Sequence, residues 1–412
     1  MKNPENRAPA RVNLRTPDVM AAVQEQVENH YRSEVVDHLR RRGNEITVGG
    51  VTVRLAKQFG FCYGVERAID LAYAARKVFR ERPLFILGEI IHNPEVNRQI
   101  AEMGIRNLLD GETGVSLQNL KPGDVVIVPA FGTDVQTLQE IQQRGCQIVD
   151  TTCGDVMSVW KRVRQYASEE MTSIIHGKAA HEETKATASR ATSSGKGHYL
   201  VVLTLEETDL VCDYIVQGGN KTAFLERFRG AYSEGFDPDV HLRRVGVANQ
   251  TTMLRGETEE VQRRISEAVR KRDGEAEASR NFRFFDTICG ATQERQDALR
   301  ELLGQRMDLL LVVGGYNSSN TSHLAEMGQE KLPTYFIRNS ERLVSKEEII
   351  HFDLHGKREV VQRDWLPAAP AVIGITAGAS CPNNLIEETI LRLYGLFEIS
   401  EQEVLRASNL GE

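Results

Sequence analysis

From residue 50 onward, short apolar runs alternate with stretches of helical periodicity. The runs Leu84–Leu87, Val125–Val128, Ser173–Ile175, Tyr199–Thr204, Val245–Ala248, Phe282–Phe285, Leu309–Val313 and Ala371–Ile375 predict strands. Alternation of this kind predicts an α/β protein with largely parallel sheets. Glycine, serine and charge concentrate in Ser193–Gly197, Gly230–Pro238 and Lys271–Arg280, which predicts loops or boundaries there. Residues 1–49 stand apart. Arg, Pro and Asn dominate the first 17 positions, and Asp18–Arg42 predicts one helix, capped at Thr16 or Asp18 and stopped at Gly43. Its apolar positions are Val19, Val23, Val27, Tyr31, Val35 and Leu39, and we read it as an ordinary docked or solvated helix.

The pattern also contains a repeat. Asp150-Thr151-Thr152-Cys153-Gly154 matches Asp286-Thr287-Ile288-Cys289-Gly290, and Gly60-Phe61-Cys62-Tyr63-Gly64-Val65 is a looser third copy. Each lies between a strand run and an amphipathic helix. The helix faces are Val156, Val159, Trp160, Val163 and Ala167, then Ala291, Ala298, Leu299, Leu302 and Leu303, then Val65, Ala68, Ile69 and Ala72. Separations of 91 and 136 residues between the cysteines are domain-sized. Three α/β units are expected, each offering a cysteine at a strand-to-helix corner. The boundaries drawn from these corners are an extension over 1–49 and domains over 50–149, 150–285 and 286–412.

Composition narrows the function classes. The 412 residues carry 51 basic and 58 acidic side chains, a formal charge of −7, which with no long basic stripe argues against a nucleic-acid partner. No uninterrupted apolar run reaches the roughly 18 residues of a membrane span, so no membrane partner is expected. The start lacks an apolar signal core and is too acidic for a transit peptide, so a cytoplasmic protein with reduced thiols is expected. None of the six cysteines forms a C-x-x-C pair, so any shared role must be assembled from distant positions.

A helix start carries partial positive charge and free N–H groups, which bias a cysteine there toward the metal-binding thiolate. Three such thiolates suit zinc, copper(I) or an iron–sulfur cluster. Cys146 and Cys212 read as structural, and Cys381 sits in a glycine-rich segment that left its role open. Asp150 and Asp286 read as structural parts of their corners. Polar clusters follow several strands: Gly88–Asn93, His176–Thr184, Asn249–Thr252, Gly314–Asn320 and Thr376–Cys381. Ligands in open α/β sheets sit beyond strand carboxyl ends. Small hydroxyl and amide side chains with glycines there can cradle phosphates. His181-x-Glu183 at a strand end is a candidate for proton delivery.

Together these stretches resemble the 4-hydroxy-3-methylbut-2-enyl diphosphate reductase family, the last enzyme of the non-mevalonate isoprenoid pathway. The matching residues are Gly60–Val65, Glu89–Pro94, Asp150–Cys153, His181–Thr184, Gln250–Thr252, Asp286–Gln293, Asn317–Asn320 and Thr376–Ser380. The N-terminal segment, Pro129–Gly132 and His176–Lys178 are similar to the longer, plant-type branch. The resemblance implies a trefoil of three α/β domains around a 4Fe-4S cluster held by Cys62, Cys153 and Cys289, with one iron left open for the substrate hydroxyl. It implies loss of that hydroxyl as water with two electrons and two protons, giving isopentenyl and dimethylallyl diphosphate. Carried over residue by residue, Glu183 delivers protons and Thr251 orients the hydroxyl end. His92, His181, Ser318, Ser319, Asn320 and Ser380 hold the diphosphate. The implied partner is an electron donor such as ferredoxin or flavodoxin. Phe131 stands where many members have a histidine, and it cannot donate a hydrogen bond; Lys178 or a backbone amide is the expected substitute. An iron–sulfur redox sensor and a three-cysteine zinc hydrolase are the rival readings.

Overall fold

The computed structural model describes residues 14–109 and 116–408. It divides into two units, each described by itself.

The first unit comprises described residues of Phe79–Ile90 and Gly104–Cys289. It holds two four-stranded parallel sheets. One has the order Ile105–Asn107, Leu84–Ile86, Val125–Val128, Gln147–Asp150. The other has the order Phe282–Phe284, Val245–Asn249, Thr172–His176, Tyr199–Val202. The central strands Val125–Val128, Thr172–His176 and Val245–Asn249 are buried at every position. Helices cover both faces of such strands, so they read as continuous apolar runs rather than alternations.

The second unit comprises described residues of Asn13–Val78, Ile91–Met103 and Gly290–Glu412. Its five-stranded sheet runs Glu45–Val48, Val51–Leu55, Ala371–Ala377, Leu309–Val313, Thr334–Ile337. All neighbours are parallel except the first pair, a hairpin with Val48 opposite Val51. Its two-residue turn is Gly49-Gly50, both with positive φ, the conformation a tight hairpin requires. The main core of this unit gathers Val53, Leu311, Ile373, Ile375 and Ile386.

Several expectations change. The helix expected over Asp18–Arg42 is two helices, Pro17–Tyr31 and Glu34–Arg41. Ser33 breaks it by capping the second, its Oγ accepting from Val36 N at 2.9 Å. Val35, Val36 and Leu39 lie in the main core, so this segment is docked. The loop expected over Lys271–Arg280 is helical to Asp273 and again over Glu275–Asn281, broken only at Gly274. Ala, Glu, Arg and Lys are strong helix formers, and charge there marks a solvated face rather than a loop. The sheets also divide the chain differently from boundaries at 50, 150 and 286. Strand Val51–Leu55 pairs with Ala371–Ala377, at the far end of the sequence.

Candidate active site

All six cysteines are free, and they separate by environment. Cys62, Cys153 and Cys289 are partly exposed, and each immediately precedes a helix: Tyr63–Val78, Gly154–Ser168 and Gly290–Leu303. Cys146 and Cys381 are buried, and burial pushes both thiols up. Cys212 is pushed up to about 12 by burial, with Asp209 and Asp213 adding to it. Burial thus disfavours the thiolate, the ligating form, at these three. Cys381, whose role the sequence left open, is fully buried in the main core of its unit.

The three corners share a backbone device. Cys153 N donates to Ala130 O at 2.8 Å, Cys289 N to Thr251 O at 3.3 Å, and Cys62 N to Ala379 O at 3.1 Å. Each acceptor lies two residues beyond a buried strand, namely Val125–Val128, Val245–Asn249 and Ala371–Ala377. Each cysteine therefore closes the sheet whose strand supplies its acceptor. Asp150 Oδ1 accepts from Thr152 N at 2.9 Å, and Asp286 Oδ1 from Ile288 N at 3.3 Å. The two aspartates build matching turns, the structural role read for them.

In the first unit the proton-handling candidates meet. His181 caps the helix Glu182–Thr192, its Nδ1 accepting from Glu183 N at 3.1 Å. Glu183 then points inward and is only 3% exposed, whereas Glu182 is exposed. Thr251 N donates to Glu183 Oε1 at 2.7 Å, and Thr251 Oγ1 donates to Oε2 at 3.0 Å. Thr251 thus grips the carboxylate with amide and hydroxyl while its carbonyl holds the Cys289 amide. Gln250, next to Thr251 in the chain, is buried. Its Oε1 accepts from Lys178 N at 3.1 Å and Thr184 Oγ1 at 3.3 Å, fixing the turn after strand Thr172–His176. Lys178 itself is half-buried.

Phe131 packs edge-on to His181 with ring centres 6.4 Å apart. Its loop is pinned from below. A Cβ on Gly132 would run into Trp160, and the Arg190 guanidinium, 3.6 Å above the Trp160 ring, donates to Thr133 O. Arg190 belongs to the helix that starts at Glu182, and burial lowers its pKa to about 10. The sequence offered no signal for this stack.

The second unit gathers the other predicted residues. Ser318 caps the helix Ser319–Gln329, its Oγ accepting from Thr321 N at 3.3 Å. Asn320 Oδ1 accepts from Ala379 N at 3.0 Å, and Ser380 Oγ donates to His92 O at 3.1 Å. Ser318, Ser319, Asn320 and Ser380 are buried, and His92 is half-buried. A Cβ on Gly315 would strike His92 O, and one on Gly378 would strike Thr321 Oγ1. The glycines therefore permit close packing of three loops around a helix N-terminus. Among the described residues, the buried Asn320 Nδ2 and Thr376 Oγ1 have no hydrogen-bond partner. Thr376, read in the sequence as the start of a polar cluster, is the penultimate residue of the strand Ala371–Ala377.

A family model described as LytB protein matches residues 53–394. The 4-hydroxy-3-methylbut-2-enyl diphosphate reductase of Gloeobacter violaceus is 49% identical over 386 residues, 92% of this chain and 91% of its own. The enzyme of the same name from Thermosynechococcus vestitus is 45% identical over 379 residues, covering 92% and 93%. A solved structure of (E)-4-hydroxy-3-methyl-but-2-enyl diphosphate reductase, the terminal enzyme of the non-mevalonate pathway, superposes with a TM-score of 0.52 at 26% identity, covering 83% of this chain and 99% of the other. The E-1-hydroxy-2-methyl-but-2-enyl-4-diphosphate reductase of Plasmodium falciparum shares the fold, with a TM-score of 0.60 at 21% identity over 84% and 87%. Matches of this length and identity establish that the chain belongs to the LytB protein family.

Proposed function

We propose that this protein is a 4-hydroxy-3-methylbut-2-enyl diphosphate reductase. It removes the allylic hydroxyl as water and yields isopentenyl and dimethylallyl diphosphate. The carbon–oxygen bond breaks, the allyl fragment gains two electrons, and two protons are consumed, one at oxygen and one at carbon. The reading rests on relatives of that name at 45–49% identity. The structural observation that carries it is the buried Glu183–Thr251 pair, tied through the Thr251 carbonyl to the Cys289 amide.

Cys62, Cys153 and Cys289 fit a 4Fe-4S cluster as its thiolate ligands, one from each corner. They are free, partly exposed and placed at helix starts, while the other cysteines are held neutral by burial. When bound, such a cluster supplies Lewis acidity and electron transfer. The chain supplies the rest. Glu183 holds a proton and delivers it to the departing oxygen, since hydroxide is a poor leaving group. Thr251 fixes both carboxyl oxygens and orients the hydroxyl end. Ser318, Ser319, Asn320 and Ser380, with His92 and His181, hold the diphosphate through hydroxyl, amide and imidazole donors at a helix N-terminus. The electrons come from a one-electron carrier of the ferredoxin or flavodoxin class. Six free thiols support a reducing, cytoplasmic setting. No described helix is long and apolar enough to cross a membrane.

Anaerobic purification followed by iron, sulfide and zinc analysis, then reduction of the allylic diphosphate with dithionite and a viologen, tests the proposal. A brown protein that converts the substrate is expected. Stoichiometric zinc without sulfide overturns it.

A further inference from the structure

The turn that carries Cys62 is built from a residue poorly suited to holding one shape. Gly60 has φ of +86°, a region that glycine enters freely and leaves as freely. A Cβ there would lie 2.8 Å from Asn383 Oδ1, so the turn is closely enclosed. Two arginines close on its consecutive carbonyls. Arg40 Nη2 donates to Phe59 O at 3.0 Å and to Asn383 Oδ1 at 3.3 Å. Its guanidinium also stacks 4.5 Å from the centre of the Phe59 ring. Arg295 Nη2 donates to Gly60 O at 2.6 Å, while its Nη1 donates to Ala291 O at 2.9 Å. Arg295 is 4% exposed. It lies on the helix Gly290–Leu303, whose first residue follows Cys289 in the chain.

We infer that Arg40 and Arg295 are positioning residues that clamp the Phe59 and Gly60 carbonyls and so hold the Cys62 turn in its ligating conformation. Two neighbouring peptide planes gripped by planar guanidiniums leave the glycine no freedom to rotate. The Cys62 amide is then held on Ala379 O and its side chain is aimed before any metal binds. The two cations are close enough to oppose each other, and burial and Arg295 both lower the Arg40 pKa while Asp37 and Glu66 offset them. Holding like charges together has an electrostatic cost that a merely space-filling pair would not carry. Arg40 belongs to the segment before residue 53, where the family match begins. The inference thus assigns that segment a task that sequence patterning did not supply. It rests on the reading of Cys62 as a cluster ligand, but its test does not.

Hydrogen–deuterium exchange on the full-length chain, followed at the amides of residues 60–62 and at Cys153, decides it. A hydrogen bond to a charged group is worth enough that Arg40→Met or Arg295→Met should speed exchange at 60–62 by about tenfold or more. The Cys153 amide, held by Ala130 O, should exchange as in the parent. In the anaerobically purified protein, the same variants should lose iron and sulfide to a chelator faster than the parent. Parental exchange at 60–62 in both folded variants overturns the clamp. Should Arg295→Met fail to fold, Arg40→Met and Arg295→Lys carry the same comparison, and parental exchange in both overturns it. A parent chain holding zinc without sulfide defeats the reductase reading instead, and the exchange data still decide the clamp.

Discussion

The Glu183–Thr251 pocket and the Ser318–Ser380 pocket are both polar, both buried and both built at helix starts, yet they end in opposite states of satisfaction. Both Glu183 carboxyl oxygens are engaged, one by an amide and one by a hydroxyl. In the other pocket Asn320 spends its acceptor on Ala379 N, and its amide nitrogen has no partner among the described residues. A buried donor left unmade costs about 1–3 kcal/mol unless something else accepts from it. The difference supports the second pocket as the proposed anion site. In the function proposed above, the first holds one group for proton transfer, and the second is the pocket that oxygen acceptors such as those of a diphosphate would complete.

The largest effect should come from the three cysteine corners. Replacing Cys62, Cys153 or Cys289 by Ser should remove most iron and sulfide and cut turnover at least about a thousandfold, since metal catalysis is worth several kcal/mol. Cys146→Ser, Cys212→Ser and Cys381→Ser should keep the cluster spectrum, because these thiols are held neutral. Loss of the cluster in Cys381→Ser with its retention in Cys62→Ser would reverse the assignment of the corners.

Next comes the contrast itself. Glu183→Gln keeps shape and hydrogen bonding but cannot cycle a proton, so turnover should fall about 10²–10⁴-fold with diphosphate affinity unchanged. Glu182→Gln, altering an exposed neighbour, should be close to parental. Asn320→Asp should do the opposite. It keeps the oxygen that accepts from Ala379 N, removes the waiting donor and adds a negative charge. Losing a charge-assisted hydrogen bond should weaken binding of inorganic pyrophosphate, measured by calorimetry, about 10–100-fold. Parental pyrophosphate affinity in Asn320→Asp would mean that the open donor does not face the anion.

Much of this was legible because both sheets and corners are locally encoded. Val125–Val128 and Leu309–Val313 are strands over the very residues their apolar runs predict, since strands covered on both faces carry no competing polar pattern. The cysteine corners were legible because each cysteine stands immediately before a helix. What sequence could not supply was long-range pairing. The Cys62 amide is bonded to Ala379 O, and Gly60 is enclosed by Asn383, both from the far end of the chain, and no local pattern states that register. The hairpin around Gly49-Gly50 was readable in principle: β-branched residues flank a glycine pair that can take positive φ. The Arg190–Trp160 stack was not, because a buried arginine bonded to carbonyls through one nitrogen looks, in sequence, like any helix-surface arginine.

The smallest effect tests whether the completeness of the first pocket matters. Thr251 reaches Glu183 in two ways, and only one depends on its side chain. Thr251→Val is nearly isosteric and leaves the amide bond to Oε1 in place, so the carboxyl group should stay in the pocket. It removes the hydroxyl that donates to Oε2, freeing that end to turn. One buried hydrogen bond to a charged group is worth about 1.5–3 kcal/mol at most, and the retained amide limits the disorder. Turnover should therefore fall about 5–30-fold, less than for Glu183→Gln, with pyrophosphate affinity unchanged because the anion pocket is untouched. Thr251→Ser restores the hydroxyl and should recover most of the rate. A loss as deep as that of Glu183→Gln, unrecovered by serine, would show that the side chain's methyl packing rather than its hydrogen bond supports the site. Parental turnover in Thr251→Val would show that the amide alone positions Glu183.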